Sequence, residues 1–243
     1  TNGNFSQEGS ELITNGDFDG NANGWNVGDW TYSNGKMVSN GAVNLLQSGR
    51  NFTVGKFYKI TYTIQDYVSG GVVGLVGTSP YAETTERNEN GVFTEIIECQ
   101  ASGSLFILQG RNNFIGSIDN VSVKEVGQDW TLGTGWSIGD DKAICDGTQT
   151  STSYCQQIIP ISTGDSVKLS IDVTVDSGTF TILDGNSGTI VLSETVSGTY
   201  TVYFTWSGSN SNLFLRAPIG FVGSVTNISV KEVGQNWTLQ NGW

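Results

Sequence analysis

Apolar and polar residues alternate with a period of two in several stretches of the chain. The clearest are Phe57–Ile64 (FYKITYTI), Val167–Val173 (VKLSIDV) and Thr199–Thr205 (TYTVYFT). This period puts every second side chain on the same face, so each stretch predicts a strand with one buried face. Turn-forming pairs such as Asn34-Gly35 and Asn90-Gly91 recur between such stretches. No stretch shows a helical period with helix caps, so we expect very little helix.

Short amphipathic strands joined by frequent turns are typical of antiparallel sandwiches, and about eight strands per domain favour the jelly roll. The predicted fold class is therefore all-β, with two tandem antiparallel β-sandwich (jelly-roll) domains. Glycine is abundant at 33 residues and proline is scarce at 3, which suits strands joined by tight turns.

The two domains are predicted to be copies of one unit. The string from Phe114 to Trp136 (FIGSIDNVSVKEVGQDWTLGTGW) matches the string from Phe221 to Trp243 (FVGSVTNISVKEVGQNWTLQNGW) at most positions, with an offset of 107. Such self-similarity is the signature of repeated units. We expect an N-terminal extension at 1–10, module one at 11–126, module two at 127–233 and the start of a further copy at 234–243. A copy cut short suggests that the 243 residues are a segment of a longer polypeptide.

Charge excludes two classes of partner. With 23 acidic and 11 basic residues the formal net charge is −12, which repels nucleic-acid phosphates and anionic membrane surfaces. No apolar run approaches the roughly 20 residues that a transmembrane helix needs. We therefore expect neither nucleic-acid binding nor membrane insertion.

Three cysteines, Cys99, Cys145 and Cys155, are an odd number without CxxC spacing, so they predict neither a zinc site nor a disulfide framework. Two interpretations stay open. Cys145 and Cys155 could bridge a hairpin, or the thiols are free and buried.

Catalysis is not expected. The chain has no histidine, which removes Ser-His-Asp and Cys-His nucleophilic catalysis and most proton shuttles at neutral pH. A glycosidase needs only two facing carboxylates, but the acidic residues fall mainly in turn-like stretches, where solvation explains them. Phosphate-binding glycine motifs are also absent from the sequence.

The opening ELITNGDFDG with Gly24-Trp25, together with the closing strand SIDNVSVKEV, resembles carbohydrate-binding modules of the four, nine and twenty-two type. This resemblance covers module one and implies a jelly roll. It also implies a structural calcium ion between the opening and the last strand, where the matching positions are Asp19 and Asp119. Carboxylate and carbonyl oxygens suit calcium. We do not expect this site in module two, since its start lacks NGDF and Thr226 replaces Asp119. Ordinary turn carboxylates are the alternative in module one.

A second resemblance concerns the tandem strings that end in SIDNVSVKEVGQDWTLGTGW. They look like repeats of bacteriophage tail-fibre and virion proteins, and also occur in bacterial surface proteins. This resemblance implies an extracellular, structural role on a virion or cell surface.

Residues suited to sugars are plentiful. Sugar rings stack on aromatic side chains while amides and guanidinium groups bind the hydroxyls. Gln109 and Arg111 on the penultimate strand of module one resemble the polar groups of binding-module clefts, and Arg216 lies on the related strand of module two. Four further candidates for stacking are Tyr67, Tyr81, Tyr154 and Trp206. The alternative is that these are rim residues.

Six other tryptophans recur at matching places in the copies, which favours shared core packing. They are Trp25, Trp30, Trp130, Trp136, Trp237 and Trp243. Trp206 differs, since Cys99 takes its place in module one.

The sequence thus favours a non-catalytic structural or adhesive repeat protein, part of a bacteriophage fibre or other virion appendage, with carbohydrate-binding-like modules. Its expected partners are a glycan of a cell surface or the extracellular space and other subunits, including copies of itself. Two alternatives remain: the carbohydrate-binding pair of a secreted polysaccharide-degrading enzyme or surface adhesin, and an architectural filament subunit without a ligand.

Overall fold

The computed structural model describes residues 3, 5, 7–127, 129–139, 141–186 and 188–234. Within these residues the regular structure consists of strands. Module one holds β1 (Thr31–Ser33), β2 (Lys36–Asn40), β3 (Asn44–Gln47), β4 (Phe57–Gly77), β5 (Ala82–Glu83), β6 (Gly91–Glu98) and β7 (Leu105–Val126).

Module two holds β8 (Thr131–Leu132), β9 (Trp136–Gly139), β10 (Lys142–Cys145), β11 (Ser153–Ile158), β12 (Ser166–Ser177), β13 (Phe180–Asp184), β14 (Ile190–Glu194), β15 (Gly198–Thr205), β16 (Asn212–Ala217) and β17 (Val222–Glu232). The described residues contain no helix long and apolar enough to cross a membrane.

The chain divides into two compact units. One consists of Glu8–Val126, which is module one with the three residues before it. The other runs from Gly127 onward and also takes in the described residues of Thr1–Gln7. The predicted start of a further copy lies outside the described residues, apart from Gly234.

In module two the strands form two antiparallel sheets. The first, which we call sheet A, has the order β15-β12-β17-β10-β9. The second, sheet B, has the order β14-β13-β16-β11-β8. Two antiparallel sheets with apolar side chains buried between them are the predicted sandwich.

Module one has the same plan, but two long strands serve both sheets. The first half of β4 pairs with β6 and with the second half of β7, as in sheet A. The second half of β4 pairs with β5 and with the first half of β7, which also pairs with β3, as in sheet B. The pairing of β4 with β7 shifts register between Gln65 and Ser69, where β4 passes from one sheet to the other. The all-β, tandem jelly-roll prediction is confirmed.

The core of each module follows from the period of two. On β4, four alternate residues are less than 3% exposed, namely Tyr58, Ile60, Tyr62 and Ile64. On β12, the alternate residues Val167, Leu169, Ile171 and Val173 are buried in the same way. Trp25, Trp30, Trp130 and Trp136 are all buried, as the repeat predicted. Trp237 and Trp243 lie outside the described residues.

The cysteines are free and buried. Cys145 lies on β10 in sheet A and Cys155 on β11 in sheet B, so the interpretation that they bridge a hairpin is wrong. Burial raises the pKa of each of the three thiols, which disfavours the reactive thiolate.

An opening segment completes module one along β7. The N–H groups of Gly9 and Leu12 donate to the carbonyls of Glu125 and Val123. Glu8 adds an ion pair with Lys124 and another with Lys59, at 2.8 and 2.6 Å. These contacts tie residues 8–12 to the last strand of the module.

The Glu8 contacts predict a stability effect that depends on pH. The pKa of Glu8 lies below its usual value, chiefly because Lys124 and then Lys59 donate hydrogen bonds to it. A carboxylate with a lowered folded-state pKa stabilises the fold at neutral pH and stops doing so as the pH falls through that pKa. We expect Glu8→Gln to lower the free energy of unfolding by about 0.5 kcal/mol at pH 7, since the side chains are partly exposed.

Urea unfolding of the Glu8→Gln variant and the wild type checks this. The difference should begin to shrink below 4.5, the usual glutamate value, and should vanish once Glu8 is protonated. A difference that does not change with pH would show that the ion pairs are not its cause.

Candidate functional site

The outer face of sheet B in module two carries the best candidate site. On β11 the inward residues Ser153, Cys155 and Gln157 are buried, so Tyr154, Gln156 and Ile158 point outward. On β16 the outward residues are Asn212, Phe214 and Arg216. The register places Tyr154 opposite Arg216, Gln156 opposite Phe214 and Ile158 opposite Asn212.

Tyr154 and Arg216 form the centre of this face. Tyr154 is 38% exposed and its ring meets the ring of Phe214 edge-on, at a centroid distance of 5.5 Å. Arg216 lies between Tyr154 on one side and Thr181 of β13 on the other. Within the described part of the chain, its guanidinium has no hydrogen-bond or ion-pair partner. The site therefore offers a half-exposed ring beside a cation whose donors are unused.

Thr181 adds a second unused group. Its hydroxyl is buried and has no hydrogen-bond partner. The matching position in module one is Val73, which pairs with Gln109 as Thr181 pairs with Arg216. Valine has the same shape and leaves no polar atom unsatisfied, so threonine at this place is unfavourable for folding alone.

A cleft of about 380 Å³ continues from this face toward the end of β11. Its lining residues are Asp129, Thr131, Gln156, Gln157, Ile158, Pro160 and Asn212. Ile158 is 78% exposed, and the side-chain oxygen of the buried Gln157 has no hydrogen-bond partner. Amides and a hydroxyl beside exposed apolar groups are the mixture that sugars require.

The corresponding face of module one has different chemistry. Arg111 donates to Glu83 at 2.8 Å and to Gln109 at 3.2 Å, so its charge is already neutralised. Beside it lies an apolar cluster of Val73, Leu75 and Ile107, with Leu46, Tyr81 and Leu105 packed against it. The structure thus brings together Tyr81, Gln109 and Arg111 on this face, although the cation is occupied.

Two predicted stacking residues are placed elsewhere. Trp206 is only 1% exposed, and its indole N–H donates to the carbonyl of Asn210 at 2.9 Å. Its prediction as a sugar platform is wrong, because the ring is part of the core of module two. Tyr67 is half-buried against the core of module one, with its ring near Phe114 and its hydroxyl donating to the carbonyl of Gly70. Both side chains have packing roles.

The predicted calcium ligands are not brought together by any described contact. The opening does reach the last strand, as the resemblance implies, but through Gly16 and Val121. Asp19 is exposed, and the Asp119 carboxylate accepts the N–H of Asn120 at 2.7 Å. The described residues contain no group of three or more His, Cys, Asp or Glu that could hold a metal. Calcium takes six to eight oxygen ligands, so these residues fit it poorly, and calcium binding stays a prediction.

In module two the corresponding carboxylate lies on the neighbouring strand. Asp119 lies opposite Thr63 in module one, whereas Thr226 lies opposite Asp172 in module two. Hydrogen bonds from Thr199 and Asn227 hold the pKa of Asp172 below its usual value. Module one thus has threonine on β4 and aspartate on β7, whereas module two has aspartate on β12 and threonine on β17. The hydrogen bonds of Asp172 give its carboxylate a structural role.

No family model matches the sequence, and no curated protein matches it. Among solved structures, the chain is similar to the N-terminal CBM22-1-CBM22-2 tandem domain of Xyn10C from Paenibacillus barcinonensis. The identity is 8%, the match covers 93% of this chain and 99% of that chain, and the TM-score is 0.32. A TM-score this low carries neither a ligand nor a function across, so the chemistry of the site has to come from its own residues.

Sequence reasoning found Tyr154 and Arg216 but missed their neighbours. Gln156 and Phe214 were missed although they lie two positions from predicted residues on the same strands, and therefore on the same face. The period of two could have indicated both. Asn212 lies on the same face of β16 at the same period, whereas Thr131 carries no such signal, because only the pairing of β8 with β11 brings it to the cleft.

Proposed function

We propose that the chain is a non-catalytic carbohydrate-binding protein, and that module two holds a sugar on the outer face of sheet B. The observation that carries this proposal is the unpartnered guanidinium of Arg216 between Tyr154 and the unsatisfied hydroxyl of Thr181. A sugar would use both chemistries at once. Its C–H face would stack on the ring of Tyr154, and its hydroxyls or a carboxylate would accept from Arg216.

Module two is the better candidate because its residues on this face differ from those at the matching positions of module one. At one row of the face, module one has Asn44, Gln109 and Val73, whereas module two has Tyr154, Arg216 and Thr181. The second row replaces Leu46 by Gln156 and Ile107 by Phe214. Core positions of the repeat keep their apolar character, so this face has diverged while the fold has not.

The cleft beside Gln156 extends the proposed site. A volume of about 380 Å³ accommodates one sugar residue next to the one on Tyr154. Gln156 and Asn212 would bind its hydroxyls, and Ile158 and Pro160 would contact its apolar edges. The proposed ligand is therefore a short stretch of a glycan.

A glycan array probed with the two-module chain tests this proposal, run once with calcium and once with a chelator. For the glycan that binds, we expect Arg216→Ala and Tyr154→Ala each to weaken affinity about tenfold or more, because each removes a central contact. Tyr203→Ala is the matched control: Tyr203 is 66% exposed on β15 of sheet A, so its loss should leave affinity unchanged.

Binding that survives both site substitutions would contradict the proposed face. An array with no specific binding under either condition would favour the purely architectural filament. Loss of binding on chelation alone would instead direct attention to the predicted calcium site in module one.

We propose further that the modules belong to an extracellular fibre, on a virion or a cell surface. Tandem copies of one folded unit support this, since repetition lengthens a fibre. A module pair of a secreted polysaccharide-degrading enzyme is the competing role. Antibody labelling of intact virions and cells, compared with the culture fluid, would separate the two.

A further inference from the structure

Two nearly identical pentapeptides lie near the start of the chain. Residues 1–5 read TNGNF and residues 14–18 read TNGDF, which differ at a single position. The second copy opens module one. The first copy contributes to the other compact unit, since the described residues of Thr1–Gln7 belong with module two.

In module one the pentapeptide is held by a glycine and a phenylalanine. The N–H of Val121 donates to the carbonyl of Gly16 at 2.8 Å, and a Cβ at Gly16 would lie 1.9 Å from the carbonyl oxygen of Val121. Only glycine allows so close an approach. Phe18 is fully buried with its ring 5.3 Å from Trp25, and its backbone is left-handed at φ 48°.

Module two shows the same contacts with the first pentapeptide. The N–H of Ile228 donates to the carbonyl of Gly3 at 2.7 Å, and a Cβ at Gly3 would lie 1.7 Å from the carbonyl oxygen of Ile228. Phe5 is 1% exposed, its ring lies 4.9 Å from Trp130, and its φ is 56°.

Ile228 and Val121 are the same position of the repeat, 107 residues apart. Trp130 and Trp25 likewise match. The apparent lack of an opening in module two is thus corrected: Gly3 and Phe5 supply it from a distant part of the sequence.

In module one, two carboxylates that precede the pentapeptide add further contacts. In front of Gly16, the Glu11 carboxylate accepts the N–H of Val123, and Glu8 pairs with Lys59 and Lys124. The lysines at the matching places of module two are Lys168 and Lys231, which lie opposite each other. Within the described residues neither has an ion pair, and Lys168 lies over the ring of Tyr203. Among the described residues, these two lysines therefore have no carboxylate partner of the kind that Glu8 gives module one.

We propose that the surface of module two around Trp130 and Ile228, which we call its groove, is a docking site for a TNGNF-type segment, and that this segment can come from a second copy of the chain. The contacts of Gly3 and Phe5 with module two depend on the segment itself, so the same segment of a second copy would make them as well. Exchange of an identical element between copies leaves the contacts unchanged and links the copies. This inference does not depend on sugar binding.

Peptide binding to a chain that lacks residues 1–7 tests the site. By fluorescence anisotropy, a labelled peptide of residues 1–10 should bind this variant at least tenfold more tightly than it binds the wild type, whose groove is filled. The same peptide with Phe5→Ala should bind at least tenfold more weakly, because the buried ring is the anchor. Equal binding to the variant and the wild type would overturn the proposal.

A peptide of residues 8–18 gives a sharper test of the register. It should bind more tightly than the peptide of residues 1–10, and Glu8→Gln should remove the gain, because that carboxylate would meet Lys168 and Lys231. Failure of this peptide to bind would show that the two grooves are not equivalent.

Gly3→Val in the full chain is a second test variant, which is needed if the chain that lacks residues 1–7 does not fold. A side chain at Gly3 would clash with the carbonyl of Ile228, so residues 1–5 should dissociate from module two. The sequence of module two itself is unchanged in this variant. Gly3→Val should then bind the peptide of residues 1–10. If neither this variant nor the truncated one binds it, there is no docking site.

Exchange between copies is tested by light scattering after size-exclusion chromatography. The wild type should form dimers whose share rises with concentration, and Phe5→Ala should abolish them. A wild type that stays monomeric at every concentration would overturn the second half of the proposal.

Discussion

Asp184→Ala is expected to destabilise module two by about 4 kcal/mol, because it removes a buried charge that three donors share. Asp184 is fully buried, and its carboxylate accepts the N–H of Thr189 and both the N–H and the hydroxyl of Ser207. These bonds join the loop after β13 to the loop after β15. Chemical unfolding measures the loss. Hydrogen exchange at the amides of Thr189 and Ser207 should accelerate in parallel.

Two variants serve as controls for Asp184→Ala. Asp184→Asn keeps one acceptor oxygen, so its loss should be smaller. Asp176→Ala removes an exposed carboxylate of the same module and should change stability by less than about 0.5 kcal/mol. A loss from Asp184→Ala as small as that of Asp176→Ala would contradict the role of the carboxylate in joining the loops.

Phe5→Ala is expected to destabilise module two by about 3 kcal/mol, although Phe5 lies at the other end of the sequence. The ring is buried against Trp130, and truncating a buried phenylalanine commonly costs about 3 to 5 kcal/mol. The matched variant Phe18→Ala should cost module one a similar amount, since Phe18 packs on Trp25 in the same way.

Peptide-resolved hydrogen exchange separates the two phenylalanine variants. Phe5→Ala should accelerate exchange in β17 and leave β7 unchanged, and Phe18→Ala should do the reverse. Acceleration in module one after Phe5→Ala would mean that the N-terminal pentapeptide belongs with the module that follows it.

The fold was predictable because its signals are local. Alternation on β4, β12 and β15 gave the strands, and the offset of 107 gave the two modules. No pattern in the sequence indicated that β4 would continue across both sheets of module one, while β12 and β13 divide the same path in module two. The two paths differ at Ser69-Gly70 of module one and Ser177-Gly178 of module two, and both are Ser-Gly, so residue type does not reveal the difference.

The site was only partly predictable. Tyr154 and Arg216 were found from residue type, and their cross-strand pairing explains why they act together. Trp206 was misjudged because its absence from module one suggested a free surface residue, whereas module two uses it to fill the core where module one has the smaller Cys99. Residue type alone does not tell a buried tryptophan from an exposed one.

The match between the two pentapeptides is a sequence signal for the opening of a module. TNGNF and TNGDF differ by one residue and could have been matched from the sequence. What the sequence could not give is the destination of the first copy. Only the contacts of Gly3 and Phe5 reveal that it completes the more distant module.

The central claim is that the outer face of sheet B in module two binds a sugar, and titration of an isotope-labelled chain by NMR tests it most directly. With the glycan selected by the array, we predict the largest shift changes at Tyr154, Gln156 and Arg216, and none at Tyr203. Changes confined to module one, or spread over sheet A, would contradict the claim.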